Sequence, residues 1–314
     1  MSDSSGSSRK NLLRRSDRRK VSRTTDYQTS FQTDPELIDL LVPLYEQSFP
    51  GISRAIKKNK GYGINWEDAS TPFVLFEKKK PIGHVGVLEL PLVIGGKERK
   101  VGGLHAVCTH PAYREKGIAT RLIHEAIRFA QAKYETVLLF TSNPKFYERF
   151  GFRVLQEYRF KAKIQREMSS YSTLRPLNMN DSKDTYILKR LLESRTPVSK
   201  ILGVGREKNI FYFNEASRPL FYSDSLNVIV SLEHEGSELH LYDVVGPRIP
   251  PFSQLLSQIP RTVSQIFFYF NPDRLQIDRA QPEPHIVDGD SIMMVCGPFE
   301  VEHKPFMLPR SSRF

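Results

Sequence analysis

The sequence predicts an α+β protein, α/β-like in its alternation, with a mixed, mostly antiparallel sheet flanked by helices and a second unit of similar build. Between residues 73 and 109, β-prone runs are separated by turn signals. Over residues 116–131 the apolar positions instead repeat every three to four residues, which is typical of a helix covering a sheet. The length of 314 residues exceeds that of most single domains and favours two.

Local signals set the order of elements in the first half. Asp34-Pro35-Glu36 marks a helix start, and Pro43 is expected to kink or end that helix early. The elements that follow are expected as strands over 73–76, 82–94 and 101–109, a helix over 116–131, a central strand over 137–140, a short helix from Asn143-Pro144 to Gly151, and a strand over 152–160.

The second half repeats this order in outline but shares no sequence motif with the first. A polar stretch over 161–173 reads as a linker. Beyond it we expect a helix over 184–193, strands over 226–232, 238–245, 264–270 and 291–296, and a helix between Pro251 and Pro260.

The composition divides the chain into three parts. Residues 1–33 carry eight Lys or Arg against three Asp and few apolar residues, so we expect a disordered basic tail. Residues 34–165 are expected to form the first domain and residues 166–314 a second, degenerate one. A basic tail can hold nucleic acid loosely, but no nucleic-acid-binding motif accompanies it, so no specific nucleic-acid partner is expected.

The composition also limits cofactors and compartment. The 39% hydrophobic and 26% charged content suits a globular protein, and no run of 18 apolar residues predicts a membrane span. The two cysteines, Cys108 and Cys296, have neither a disulfide framework nor metal-ligand spacing, so no metal is expected. A cytoplasmic location is the simplest expectation.

Residues 107–120 bring a strand, a turn and a helix start into direct succession. The first amides of a helix have no internal partner and, with the helix dipole, favour a phosphate. Gly117 and the small Ala119 would let a diphosphate approach the backbone closely. Arg114, Lys116 and Arg121 add positive charge nearby.

The pattern Arg114-x-x-Gly117-x-Ala119 resembles motif A of the GNAT superfamily of N-acetyltransferases. The resemblance implies acetyl-CoA as co-substrate and a strand that splays from its neighbour to pair with the pantetheine arm. Here that strand offers Val107, Cys108 and Thr109, one of whose amides would bind the thioester oxygen. The diphosphate would meet the loop and first helical turn, namely Arg114, Glu115, Lys116, Gly117, Ile118, Ala119 and Thr120.

A second pattern, Phe146-Tyr147-x-x-Phe150-Gly151-Phe152, resembles motif B of the same family. The resemblance implies that Tyr147 protonates the departing thiolate, with Ser142 and Asn143 contacting the cofactor. A thiol of pKa about 8.5 and a phenol of pKa about 10 make this transfer nearly balanced. The alternative is that Tyr147 only packs against the cofactor. Cys108 is not favoured as a nucleophile, because no histidine is evidently placed as its base.

The detailed pattern is similar to the "enhanced intracellular survival" type, which fuses two GNAT-like units with a sterol-carrier-like third domain for which this chain is too short. In that type the terminal carboxylate acts as base, and this chain ends at Phe314. Glu89, His105 and water are the other candidate bases.

The sequence therefore predicts direct transfer of an acetyl group from acetyl-CoA to a primary amine in a ternary complex. The acceptor is expected to be a small molecule or a peptide, and a homo-oligomer is left open. The alternative function is a non-catalytic acyl-CoA sensor or scaffold on the same fold. The second unit has Pro247, Pro250 and Pro251 where a phosphate loop would need amides, so one active site is expected.

Overall fold

A computed structural model describes residues 30–166, 173–259, 263–277 and 279–314. The predicted basic tail lies almost wholly outside these ranges. Within them, no helix combines the length and the apolar character that crossing a lipid bilayer requires.

The described residues contain the elements that the sequence predicts, together with further helices and short strands that it does not predict. The helices are α1 Leu37–Glu46, α2 Ile52–Gly61, α3 Ile118–Gln131, α4 Pro144–Glu148, α5 Ser182–Glu193, α6 Asn209–Glu215 and α7 Phe252–Ser257. The strands are β1 Ser70–Glu77, β2 Lys80–Ile94, β3 Lys97–Thr109, β4 Val137–Thr141, β5 Arg153–Val154, β6 Tyr158–Arg166, β7 Leu174–Pro176, β8 Leu202–Val204, β9 Leu220–Ser223, β10 Val228–Glu235, β11 Glu238–Val245, β12 Val263–Phe268, β13 Gln281–Pro284 and β14 Ile292–Cys296.

The first sheet has the order β1-β2-β3-β4-β14-β5, with β8 added beside β2. All its described pairs are antiparallel except β3 with β4. The predicted apolar stripe of α3 covers this sheet, and Leu122, Ile123 and Ala126 are completely buried in its core. The helical periodicity therefore reports the face that the helix buries.

The second sheet has the order β13-β6-β12-β11-β10-β9-β7 and also contains one parallel pair, β11 with β12. Helices α5 and α7 contribute Leu188 and Leu255 to its buried clusters. The mixed α+β class and the second unit of similar build are thus confirmed.

Each sheet contains strands from both halves of the chain. β14, near the C-terminal end, lies between β4 and β5 of the first sheet, with Met294 opposite Leu139. β6 lies in the second sheet, with Phe160 opposite Phe268. Strands from before and after residue 165 are hydrogen-bonded to each other in both sheets. The domain limit at residue 165 therefore stays a prediction.

Some elements differ from their predicted form. α1 runs through Pro43 to Glu46 instead of ending early. The strand expected over 152–160 is interrupted before β6, where the buried Glu157 carboxylate accepts bonds from Arg313 and the amide of Leu308. The start of the expected linker, 161–166, continues β6, because Ala162 is buried against β12 between lysines.

Candidate active site

The two central strands of the first sheet separate toward their carboxyl ends. The parallel register of β3 and β4 ends at the pair Leu104–Leu139. β3 continues to Thr109 and β4 continues to Thr141. Beyond this pair, the backbone groups of β3 and β4 that face each other form no hydrogen bonds across the gap. The opening between the two strands can therefore accept an extended polar ligand.

A bulge in β3 at this opening is held by a buried histidine. Ala106 has a left-handed φ of 48°, and Nδ1 of His84 lies 2.9 Å from its carbonyl oxygen. Nε2 of His84 lies 3.0 Å from the Tyr45 hydroxyl. A carbonyl oxygen only accepts, so Nδ1 carries the proton and Tyr45 donates to Nε2. Burial lowers the pKa of His84 to about 4, which keeps this ring neutral.

The same bond fixes the next peptide amide. The Ala106 carbonyl and the Val107 N–H belong to one planar trans peptide unit, so they point in opposite directions. Because the carbonyl is bonded to His84, the Val107 N–H points away from that ring. Val107 lines the cavity described below.

The loop between β3 and α3 has the backbone of an anion-binding nest. Glu115 and Gly117 are both left-handed, with φ of 62° and 76°, and α3 starts at Ile118. Successive amides in such a turn converge, and those at the start of the helix have no intrahelical acceptor. A Cβ built on Gly117 would meet no atom within 4 Å, so the space over this glycine is open.

The loop's cations are held by its own backbone. Arg114 Nε donates to the carbonyl of Thr109 at 3.4 Å, and Lys116 Nζ donates to the carbonyl of Ala112 at 3.0 Å. Both residues are exposed. Their charges are therefore available to an anion over the loop.

Arg149 is a cation that the sequence analysis did not include. Its guanidinium donates to Thr120 Oγ1 at 3.1 Å and lies over the ring of Phe146 at 4.2 Å. Arg149 occupies one of the unspecified positions of the Tyr-x-x-Phe pattern, so only its charge could have drawn attention to it. Its bond brings a positive charge to the first turn of α3.

A cavity of about 720 Å³ opens between the separated strands. Val107, Ser142 and Tyr147 of the predicted site residues line it. The other residues that line it are Tyr45, Ser48, Phe49, Ile52, Ile56, Trp66, Leu104, His105, Ala106, Leu139, Phe140, Thr141, Ile210, Phe213, Asn214, Asp290, Ser291, Arg313 and Phe314.

Tyr147 enters this cavity from α4. Asn143 lies between β4 and α4, its amide donates to Thr141 Oγ1 at 3.0 Å, and Pro144 starts the helix. Burial raises the pKa of Tyr147 to about 12. Within the described residues its hydroxyl has no hydrogen-bond partner. The phenol is thus fully protonated at neutral pH and a weaker acid than the sequence analysis assumed.

The candidate bases differ in position. Glu89 lies outside the cavity wall, where its carboxylate bonds to Tyr134 at 3.2 Å and pairs with Lys100 at 3.0 Å. His105 lies on the wall, and its Nε2 is 2.8 Å from Ser70 Oγ. Burial, with a smaller effect from His84, lowers the pKa of His105 well below its ordinary value.

The other two named side chains have clear surroundings. The ring of Phe314 lines the cavity, 5.1 Å from Phe140 and directly over Gly103. Cys108 is buried beside α1, and burial raises its pKa to about 12. A thiol in that state is not a nucleophile at neutral pH, in agreement with the sequence analysis.

The second unit has the same strand opening, but the chain fills it. The parallel register of β11 and β12 ends at Leu241–Phe268. Beside it, Asn271 binds the backbone of Pro305 and Met307, and Arg310 lies 3.4 Å from the Tyr242 ring centre. Ser311 bonds to Asp243, which forms a wholly buried ion pair with Arg195. The segment 305–313 thus occupies the second opening.

The first opening fits the pantetheine diphosphate of acetyl-CoA on three observations. Two strands present unpaired backbone, and the nest at Gly117 is open. Thr109 Oγ1 is buried at the strand end with no hydrogen-bond partner among the described residues. A buried hydroxyl without a partner is destabilising unless a ligand satisfies it.

Comparisons with known proteins agree with this geometry. Residues 37–155 match the family model described as the acetyltransferase (GNAT) domain. No protein of curated function matches the chain in sequence.

Solved structures share the fold at low identity. An Enterococcus faecalis V583 protein described as a "probable N-acyltransferase" is 14% identical, with a TM-score of 0.54 over 87% of this chain and 72% of its own. A GCN5-related N-acetyltransferase from Kribbella flavida is also 14% identical, with a TM-score of 0.52 over 87% and 71%. Eis1 from Mycobacterium abscessus has 14% identity over 78% and 65%, and its TM-score of 0.49 is too low to support an inference.

The motif pattern, the separated strands and the nest at the start of α3 therefore agree with the family match. Residues 37–155 match the GNAT acetyltransferase domain, the domain of acyl-CoA-dependent N-acyltransferases.

Proposed function

We propose that this protein transfers an acetyl group from acetyl-CoA directly to a primary amine, with both substrates bound at the opening between β3 and β4. The proposal rests on one observation: the opening between the strands, the open nest at Gly117 and the protonated Tyr147 lie around one site. Acetyl-CoA supplies an activated thioester when bound. The chain supplies binding, orientation and a proton donor.

Backbone groups hold the cofactor in this proposal. Amides from Glu115 to Thr120 bind the diphosphate, assisted by the charges of Arg114, Lys116 and Arg149. The unpaired edge of β3, from Val107 to Thr109, binds the pantetheine arm, with Ser142 and Asn143 on the opposite strand. In this arrangement the anionic cofactor meets backbone amides and cationic side chains, both of which favour negative charge.

Two groups act on the reacting atoms. The Val107 N–H, turned away from His84, donates to the thioester oxygen as negative charge develops there. The Tyr147 hydroxyl donates to the departing sulfur. Because its pKa is about 12, a strong hydrogen bond with late proton transfer fits this phenol better than early transfer.

The acceptor must lose a proton before it attacks. His105 is the titratable side chain that the sequence analysis named as a base and that also lines the cavity. Its lowered pKa makes it a neutral but weak base, so we propose that it acts together with water.

The cavity wall supports an amine carried on an apolar body. Its aromatic side chains are Tyr45, Phe49, Trp66, Phe140, Tyr147, Phe213 and Phe314. Among the described residues that line it, Asp290 carries the one side-chain carboxylate. Aromatic faces and a carboxylate together attract an organic cation, so we propose that Asp290 draws the ammonium group to the mouth.

Thiol release from acetyl-CoA, measured over a panel of primary amines, tests this function. The panel includes arylalkylamines, aliphatic polyamines, aminoglycosides and a lysine peptide, and calorimetry with CoA runs in parallel. We expect CoA to bind and at least one amine to accelerate thiol release. Binding of CoA without stimulation by any amine would instead favour the sensor or scaffold. Absence of CoA binding would remove both.

A further inference from the structure

Three metal-ligating side chains lie together on the hairpin of β10 and β11, outside the cavity described above. Glu235 and Glu238 are directly opposite at the end of the hairpin, and His240 is two residues beyond Glu238 on the same strand face. One ligand atom from each lies within 4.8 Å of the other two.

The cluster holds negative charge that the described chain leaves uncompensated. Like charges directly opposite each other destabilise a strand pair. His240 Nε2 lies 3.7 Å from Glu235 and 3.8 Å from Glu238, distances too long for hydrogen bonds. No Lys or Arg nitrogen within the described ranges forms an ion pair with either carboxylate. A cation placed between the three ligand atoms would offset this repulsion.

His240 is the independent sign that a ligand belongs there. The residue is 8% exposed, and its Nε2 is a buried atom with no hydrogen-bond partner in the described chain. Nδ1 lies 3.0 Å from the Tyr269 hydroxyl, and the ring stacks on Phe267 with a centroid separation of 5.1 Å. These contacts fix the imidazole with Nε2 directed at the two carboxylates.

Neighbouring residues support the ligands as they do in metal sites. Gln265 donates to Glu238 Oε1 at 2.9 Å, which leaves Oε2 for the cluster. Arg159 donates to the Tyr269 oxygen at 3.4 Å, and that oxygen can also accept from Nδ1–H of His240. In this tautomer Nε2 presents its lone pair, as a metal ligand requires.

We propose that Glu235, Glu238 and His240 bind one divalent cation of the Zn²⁺ class, with water completing the coordination. One imidazole nitrogen and two carboxylates suit Zn²⁺ best and Mn²⁺ less well, whereas Mg²⁺ and Ca²⁺ prefer oxygen alone. Cysteine spacing alone predicts no metal. The three ligands lie within residues 235–240, and the hairpin register brings them onto one face of the sheet.

Calorimetric titration of the untagged, EDTA-treated full chain with ZnCl₂ at pH 7.5 tests the proposal. We expect one site per chain, weaker binding of Mn²⁺, and a Zn²⁺-dependent rise in Tm. Glu235→Gln should weaken Zn²⁺ binding at least about tenfold. The Glu235 side chain is 85% exposed, so this variant should fold normally.

Tyr269→Phe removes the bond to Nδ1 and should weaken Zn²⁺ binding about tenfold without changing the stoichiometry. The matched control is His303→Ala, which removes a 91% exposed histidine 3.6 Å from Glu302 and should leave binding unchanged. Absence of Zn²⁺ binding to the unaltered protein, or equal Zn²⁺ affinity of Glu235→Gln and the unaltered protein, would overturn the site.

Discussion

His84 Nδ1 donates a 2.9 Å hydrogen bond to the carbonyl oxygen of Ala106, a residue held at a left-handed φ of 48°. That backbone conformation costs a residue with a Cβ about 1–2 kcal/mol, so it persists only where surrounding contacts enforce it. Here the contacts are the hydrogen bond from His84 to the Ala106 carbonyl and the hydrogen bond between Tyr45 and His84. Because the Val107 N–H lies in the same peptide unit as that carbonyl, it points away from His84.

Replacing His84 should therefore impair turnover more than cofactor binding. His84→Leu leaves the buried Ala106 carbonyl without a donor, which costs about 1–3 kcal/mol of stability. We expect kcat to fall about tenfold or more with little change in CoA affinity. Tyr45→Phe keeps the bond to Ala106 and should have the smaller effect on kcat. Equal kcat for His84→Leu and the unaltered enzyme, at a temperature where both are folded, would refute the role.

The buried histidines should make the fold sensitive to acid. His84 has a pKa of about 4 when folded and about 6.5 when unfolded, so between these values the unfolded chain binds the extra proton. Stability is then complete above pH 6.5 and declines as pH falls toward 4, by about 3 kcal/mol for His84. His105 acts in the same direction. Urea unfolding at pH 7, 5.5 and 4.5 measures the slope, which should be shallower in His84→Leu. Parallel slopes would contradict this assignment.

Tyr147→Phe should lower kcat by about 100-fold or more and leave the Kd for CoA within about twofold. The ring keeps its packing against Phe146, Phe150 and Phe152, and only the proton donor is lost. Steady-state kinetics and calorimetry separate the two quantities. A tyrosine that only packs against the cofactor would give an unchanged kcat.

Gly117→Ala should weaken CoA binding. The methyl group would enter the open space of the nest, and the left-handed φ of 76° would be strained. Gly63→Ala is the matched control, since Gly63 has φ of 72° and is equally open but lies outside the loop. We expect at least a tenfold loss of CoA affinity for Gly117→Ala and none for Gly63→Ala. Similar CoA affinities in both variants would exclude the nest.

Asp290→Asn should raise KM for the amine several-fold and leave KM for acetyl-CoA unchanged, because the variant loses one charge and little volume. The neighbouring exposed Asp288 does not line the cavity, so Asp288→Asn provides the control. The effect should shrink at high ionic strength. An amine KM that is the same in both variants would remove Asp290 from acceptor binding.

Local sequence signals were enough for the parts of the site that are contiguous in the chain. The stripe of α3, the glycine that precedes it and the tyrosine of α4 follow from helix periodicity, capping and the family motifs. α2 was missed because Ile52 and Ile56 are its only strongly apolar residues and give no stripe.

The sequence by itself determined the fold class, the strand–loop–helix unit around Gly117 and the tyrosine beside it, since these depend on interactions within a few residues. Tertiary structure alone decided that β14 joins the first sheet, that His84 supports the bulge, and that Phe213, Asp290 and Phe314 close the cavity. Those contacts join residues far apart in the chain, where strand register and burial, rather than local propensity, select the partners.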